Sequence, residues 1–278
     1  MKKYIYTVLI SALVCLGISC SKDSVATDDT TNTLLTELKK VTTDFIASQD
    51  GKIPTSNTKQ FNSNEYLVDC EAGMADYIKN GDRDHAIEVG IKASQEAGTD
   101  NGLSGQGNAG NPISSVVNPM NGLDYAGRLH AEALEVGYTN YQHQIYPNGV
   151  FNYQNATNFV FGYLAQNNVN STGNTMTESE FTAFTNSVRL RLQQNNYKMS
   201  KVVISHKNEG DLTNEEAQIL EMYFKAQEQS TTLNGFIQHS IQVENMVVNA
   251  TNLSASSKEL LLFVMATARH DINFWNPY

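Results

Sequence analysis

The sequence predicts an all-α protein, an irregular helical bundle built around a buried C-terminal helix, on three grounds. Proline is scarce, five residues in 278, so little interrupts long helices. Three segments open on a hydroxyl residue followed three positions later by glutamate: Thr177 with Glu180, Thr213 with Glu216, and Ser256 with Glu259. In such a capping box the hydroxyl accepts from a first-turn amide and the carboxylate reaches back to the cap. Finally, Leu260 to Trp275 carries Leu261, Val264, Met265, Ala268, Ile272 and Trp275 on one helical face, with Leu262, Phe263 and Phe274 off it. A helix apolar nearly all round is one enclosed by its neighbours.

Taken in order, the chain begins with an address. Lys2 and Lys3 precede an apolar run from Tyr4 to Ile18 that ends at Ser19-Cys20. This is the layout of a secretory signal over residues 1–19, and it is shorter than the roughly 20 residues a spanning helix needs. Leu16-Gly17-Ile18-Ser19-Cys20 resembles a lipobox, which implies acylation of Cys20, although Gly17 stands where leucine is usual. Cys15 is the poorer candidate, because the large Val14 precedes it. Ser21-Lys22-Asp23 resembles the start of the export signal of Bacteroidetes-type lipoproteins, and implies an outer-membrane destination. Residues 20–33 are polar and read as a flexible tether.

Removal of residues 1–19 would take away two lysines and no acid, so the formal charge of −10 becomes −12. Such a chain, with no basic cluster, repels phosphate backbones, which excludes nucleic acid as a partner. Cys70 is then the one free thiol. Asp69 and Glu71 beside it disfavour a thiolate, so it reads as a small buried apolar residue.

Residues 34–278 are long enough for one large domain, with 34–97 a possible N-terminal subdomain. Leu34 to Ser48, Asn64 to Lys79 and Arg83 to Ala97 have helical spacing, the last two broken at Asn80-Gly81. Residues 98–118 carry five glycines and read as a loop. Gly102, Gly105 and Gly107 do not make a phosphate cradle, because no buried strand precedes them and no Lys-Ser/Thr pair follows. Phe181 to Gln194, Ala217 to Glu228 and Leu233 to Val248 supply further helices. Lys201 to His206, with Val202, Val203 and Ile204 adjacent, reads as a lone β-like connector.

Chemistry concentrates at Asn118 to His130. Pro119 or Asn121-Gly122 opens a helix on which Leu123, Gly127, His130, Leu134 and Gly137 form the inward stripe. Arg128 and Glu132 make an ordinary i,i+4 pair on the outer face. His130 has no hydrogen-bonding neighbour on its own helix, so its partner must come from elsewhere, with Asp271, Asn273 and His270 as candidates. Gly127 and Gly137 would let another backbone approach.

Asp124, Tyr125, Gly127 and His130, together with Ala268-Arg269 and Trp275, resemble a segment of exported bacterial lipoproteins in which Asp-Tyr-x-Gly-x-x-His opens a helix. The resemblance covers about a tenth of the chain and implies no activity. The expected function is that of a cell-envelope lipoprotein, held at the outer membrane by its lipid, whose helical domain binds a protein or small molecule. No HExxH pair and no Gly-x-Ser-x-Gly elbow is present, so neither a metal nor a cofactor is expected. Two alternatives stand beside it. One is an enzyme whose pocket is formed by Asp124, Tyr125, His130, Arg269 and His270, with His130 as general base. The other is an immunity or inhibitor protein whose acidity matches a basic toxin.

Overall fold

The computed structural model describes residues 28–50, 63–98, 113–169 and 176–275. The signal segment, Cys20 and most of the glycine-rich stretch lie outside the described residues. Those described form helices α1 (Asp28–Gln49), α2 (Asn64–Asn80), α3 (Arg83–Ala97), α4 (Ile113–Val116), α5 (Asp124–Asn140) and α6 (Gln142–Ile145). After a 3-10 turn at Pro147–Gly149 come α7 (Tyr153–Gln166), α8 (Glu178–Gln194), α9 (Met199–Glu209), α10 (Asn214–Glu228), α11 (Leu233–Asn249) and α12 (Ala255–Trp275). No strand occurs among them, and the fold is all-α.

Local chemistry sets most helix ends. Ser63 caps α2 by accepting from the Tyr66 amide. Gly81, at φ 64, closes α2 in the left-handed region, where a side chain would be strained. Asp82 then caps α3, accepting from the Asp84 and His85 amides. The capping boxes of α8 and α10 are formed in full by Thr177 with Glu180 and by Thr213 with Glu216. The third box is displaced. Helix α12 begins at Ala255, and it is Ser254 Oγ that accepts from the Ser257 amide, at 3.0 Å. Ser256 therefore sits inside the first turn, and Glu259 turns toward Arg83, 4.0 Å away.

Three further stretches differ from the sequence expectation. The tether expected to run to Thr33 gives way to helix at Asp28. Lys201 to His206 lies within α9, with Val202 and Val203 fully buried. Packing of α9 on α10 overrides the β preference of three adjacent branched residues. Helix α7 occupies a stretch to which the sequence reading assigns no element; Asn152 starts it by accepting from the Asn155 amide, and Ala156, Val160 and Leu164 bury its inner face.

Every residue of α12 from Leu260 to Phe274 is buried, as its all-round apolar character predicts. It packs chiefly against α5, α2 and α11. Residues 34–97 do not stand apart, because α2 and α3 pack on α12 and α5 while α1 lies on α10 and α11. Gly127 carries the closest approach. A Cβ there would collide with the carbonyl of Ala266, so α5 and α12 meet backbone to backbone. At Gly90 of α3 the tight neighbour is a side chain instead, a Cβ there lying 3.1 Å from His130 Nε2 and only in ordinary contact with Gly73 of α2.

Candidate functional site

Helix α12 presents Arg269, His270 and Asp271 in succession. A turn of 100° per residue aims consecutive side chains in different directions, so the three serve two buried clusters rather than one.

The first cluster centres on Arg269, which is fully buried. Its Nε donates to Glu244 Oε1 at 2.7 Å and its Nη2 to Glu244 Oε2 at 3.0 Å, a two-pronged pair. Nη2 also reaches Asp124 Oδ1 at 2.6 Å, and Nη1 donates to the Val116 carbonyl. Glu244 further accepts from Asn118 Nδ2 (3.0 Å), Asn121 Nδ2 (2.8 Å) and Ser240 Oγ (3.0 Å). Ser240 in turn meets the Tyr223 hydroxyl at 2.9 Å. His270 Nε2 lies 3.2 Å from Asp124 Oδ1.

Electrostatics in this cluster favour fixed charge. Burial works against the Asp124 carboxylate, yet His270, Arg269 and the Asn118 amide hold its pKa down at about 2. Burial also works against charge on Arg269, and the two carboxylates outweigh it, leaving the guanidinium protonated. Burial keeps His270 below its ordinary pKa, so it meets Asp124 as a neutral N–H donor.

The second cluster lies around His130, which is 1% exposed. Its Nδ1 is 2.7 Å from Asp271 Oδ1, and its Nε2 is 3.0 Å from Asp69 Oδ1. Asp69 and Asp271 are both fully buried, and Asp69 Oδ2 also accepts from Trp275 Nε1 at 3.3 Å. Burial opposes a charged imidazole, but the two flanking carboxylates prevail and raise the His130 pKa well above normal. Burial and the charge of Asp69 raise the Asp271 carboxyl to about 7, with His130 acting against them. One donor atom from each of the three residues falls within 4.8 Å of the others, a spacing that a cation could bridge. With a carboxylate against each ring nitrogen, a proton on the imidazole already supplies positive charge there. Cys70, one residue from Asp69, is buried, and burial followed by Asp271 and Asp69 pushes its thiol up, away from the reactive thiolate.

The structure thus joins Asp124, Arg269 and His270 as the sequence suggested, but separates them from His130. Tyr125 belongs to neither cluster. It is half-exposed, with the Arg83 guanidinium 5.4 Å from its ring centre, on a polar cleft of about 330 Å³ that Arg128 and Asn168 also line. In place of the one pocket that the enzyme alternative drew around His130 and Asp124, the described residues form two closed clusters around α12. Asp271 is the His130 partner among the three candidates. Asp69 and Glu244 escaped sequence reasoning, because their partners His130 and Arg269 lie on other helices and only helix packing brings them together.

Buried ion pairs recur elsewhere. Lys92 and Glu88, both fully buried, meet at 2.7 Å, with the ammonium near the faces of Tyr153 and Phe181 at 5.1 and 5.4 Å. His206 lies between Glu71 (3.1 Å) and Asp211 (2.9 Å). Glu209 also approaches that histidine closely enough to share a cation, but there Arg191 already supplies the positive charge.

Open space lies along α11, apart from the two clusters. A groove of about 650 Å³ runs between the start of α1 and α11, lined by Leu34, Glu37, Gln238, Gln242, Asn245 and Asn249 among others. Comparison with protein-family models, curated proteins and solved structures gave no match. No helix among the described residues is long and apolar enough to cross a membrane.

Proposed function

We propose that this chain is a lipid-anchored protein of the cell envelope whose helical domain binds a small, uncharged polar ligand in the groove between α1 and α11. One observation carries the choice of binding over catalysis. Asp124, His130, Arg269 and His270 are at most 7% exposed, the first, third and fourth engaging one another and His130 held between Asp69 and Asp271, so no substrate atom reaches them. A general base must come within hydrogen-bond reach of its substrate, and the groove lies elsewhere.

The groove has the size of small-molecule sites. Gln238, Gln242, Asn245 and Asn249 follow one another at spacings of four, three and four, which sets their amides along one face of α11. Amides both donate and accept, as hydroxyl- and amide-bearing ligands require. The buried Oδ1 of Asn245 accepts from no protein group and calls for an N–H or O–H donor. Leu34, Ile241 and Met246 supply apolar contact, and Glu37 disfavours an anion.

Two experiments test this reading. Growth with an alkyne-bearing palmitate analogue should label the wild type and leave Cys20→Ala unlabelled and released from membranes. A thermal-shift panel of neutral sugars and short peptides should contain a stabilising ligand whose effect is lost in Gln242→Ala and Asn245→Leu. Absence of any such ligand, or turnover of a substrate abolished by His130→Gln in a folded protein, would overturn it.

A further inference from the structure

Helix α1 forms one wall of this groove and rests on α10 and α11, outside the packing of α12 with α5 and α2. Leu34 and Leu38 bury against the body, and Gln49 Oε1 accepts from the Thr231 amide and hydroxyl at 3.2 and 2.7 Å. Between these ends Phe45 stacks on His239 of α11, ring centres 4.4 Å apart and planes 14° from parallel. The imidazole beneath is 3% exposed, and neither of its nitrogens has a hydrogen-bond partner. Every other described histidine that is buried lies against a carboxylate.

A neutral imidazole offers one donor and one acceptor, and leaving both unmade in the interior is costly. The cost persists only while α1 covers the ring. Lifting α1 would expose His239 to water, where it can hydrogen-bond and take a proton. We propose that α1 is a hinged wall of the groove, docked at neutral pH and released on acidification by protonation of His239.

The sign follows from linkage. Burial alone lowers the docked His239 to about 4, from an ordinary 6.5. No titratable or charged side chain of α1, α10 or α12, nor any on α11 itself, contributes to that shift. A depressed histidine pKa means that the docked state rejects the proton, so docking is intact above pH 6.5 and weakens as pH falls toward 4. For these two values the docking constant drops about 30-fold from pH 8 to pH 5, and about 150-fold by pH 4. The consequence for ligand rests on the binding function proposed above, since losing α1 removes one side of the groove; the motion itself needs no ligand.

Amide hydrogen exchange on the mature chain, without ligand, tests it. Protection factors, corrected for intrinsic exchange, should fall about 30-fold in α1 between pH 8 and pH 5 while those of α12 do not fall. In His239→Phe, which keeps the stacked ring and cannot ionise, α1 protection should not respond to pH. Should that variant not fold, an NMR titration of the wild-type imidazole replaces it, with a midpoint well below 6.5 expected. Loss of α1 and α12 protection in step, a pH response that survives in His239→Phe, or an ordinary His239 midpoint would each overturn the proposal. Failure to find a ligand would instead count against the groove's binding role and leave the α1 motion standing.

Discussion

Arg269 and Glu244 face each other through two parallel hydrogen bonds, 2.7 and 3.0 Å long, with both side chains fully buried. The pair ties α12 to α11, and Asp124 extends it to α5. A charge pair removed from water this completely gains little over an apolar pair of equal volume, but it punishes the loss of either member. Its part is to specify which helix faces meet.

Arg269→Leu should therefore cost about 3–5 kcal/mol in urea denaturation, because Glu244 and Asp124 remain buried and uncompensated. Adding Glu244→Gln and Asp124→Asn should recover part of that loss, because the buried charges go while oxygen acceptors remain for Asn118, Asn121 and Ser240. A loss under about 1 kcal/mol in the single variant would show that the cluster admits water.

The His130 cluster predicts stability that falls as pH rises. The folded protein holds the Asp271 proton up to about pH 7, whereas the unfolded chain releases it near 3.8. Between those values the folded state binds more protons, so rising pH erodes stability. His130, whose pKa is raised above 6.5, adds stability that is complete below 6.5 and is lost as pH climbs through its folded value. Chemical denaturation from pH 4 to pH 9 should show the decline, and Asp271→Asn should flatten its lower part.

Gly127→Ala should destabilise by about 1–3 kcal/mol, since the new methyl meets the Ala266 carbonyl and must push α5 off α12. Gly122→Ala is the matched control, with nothing within 4 Å of its Cβ position. Thermal melts that rank the two equally would rule out the close helix contact.

The displaced cap of α12 gives a comparison between neighbours. Ser254→Ala should lose about 1 kcal/mol, while Ser256→Ala should change little, because only the former accepts from the Ser257 amide. The reverse ranking would restore the box at Ser256 with Glu259.

The sequence alone determined the class and several helix ends, because periodicity, capping hydroxyls and a helix-ending glycine act within a few residues of themselves. Thr177, Thr213 and Gly81 do their work within four residues of chain, and the structure follows them. The all-round apolar surface of Leu260 to Trp275 likewise determined that α12 would be enclosed. Where local preference was overruled, as at Val202 and Val203, burial against another helix outweighed the β tendency of the residues themselves. The polar interior was legible only in part. His130, Arg269 and His270 were marked by their place on apolar helices, whereas Asp69, Glu244 and the split into two clusters emerged only when α2, α11 and α5 closed around α12. A one-dimensional pattern reports which face of a helix is buried. The partner that a buried charge finds across 141 residues, as His130 finds Asp271, is decided by the packing of helix on helix.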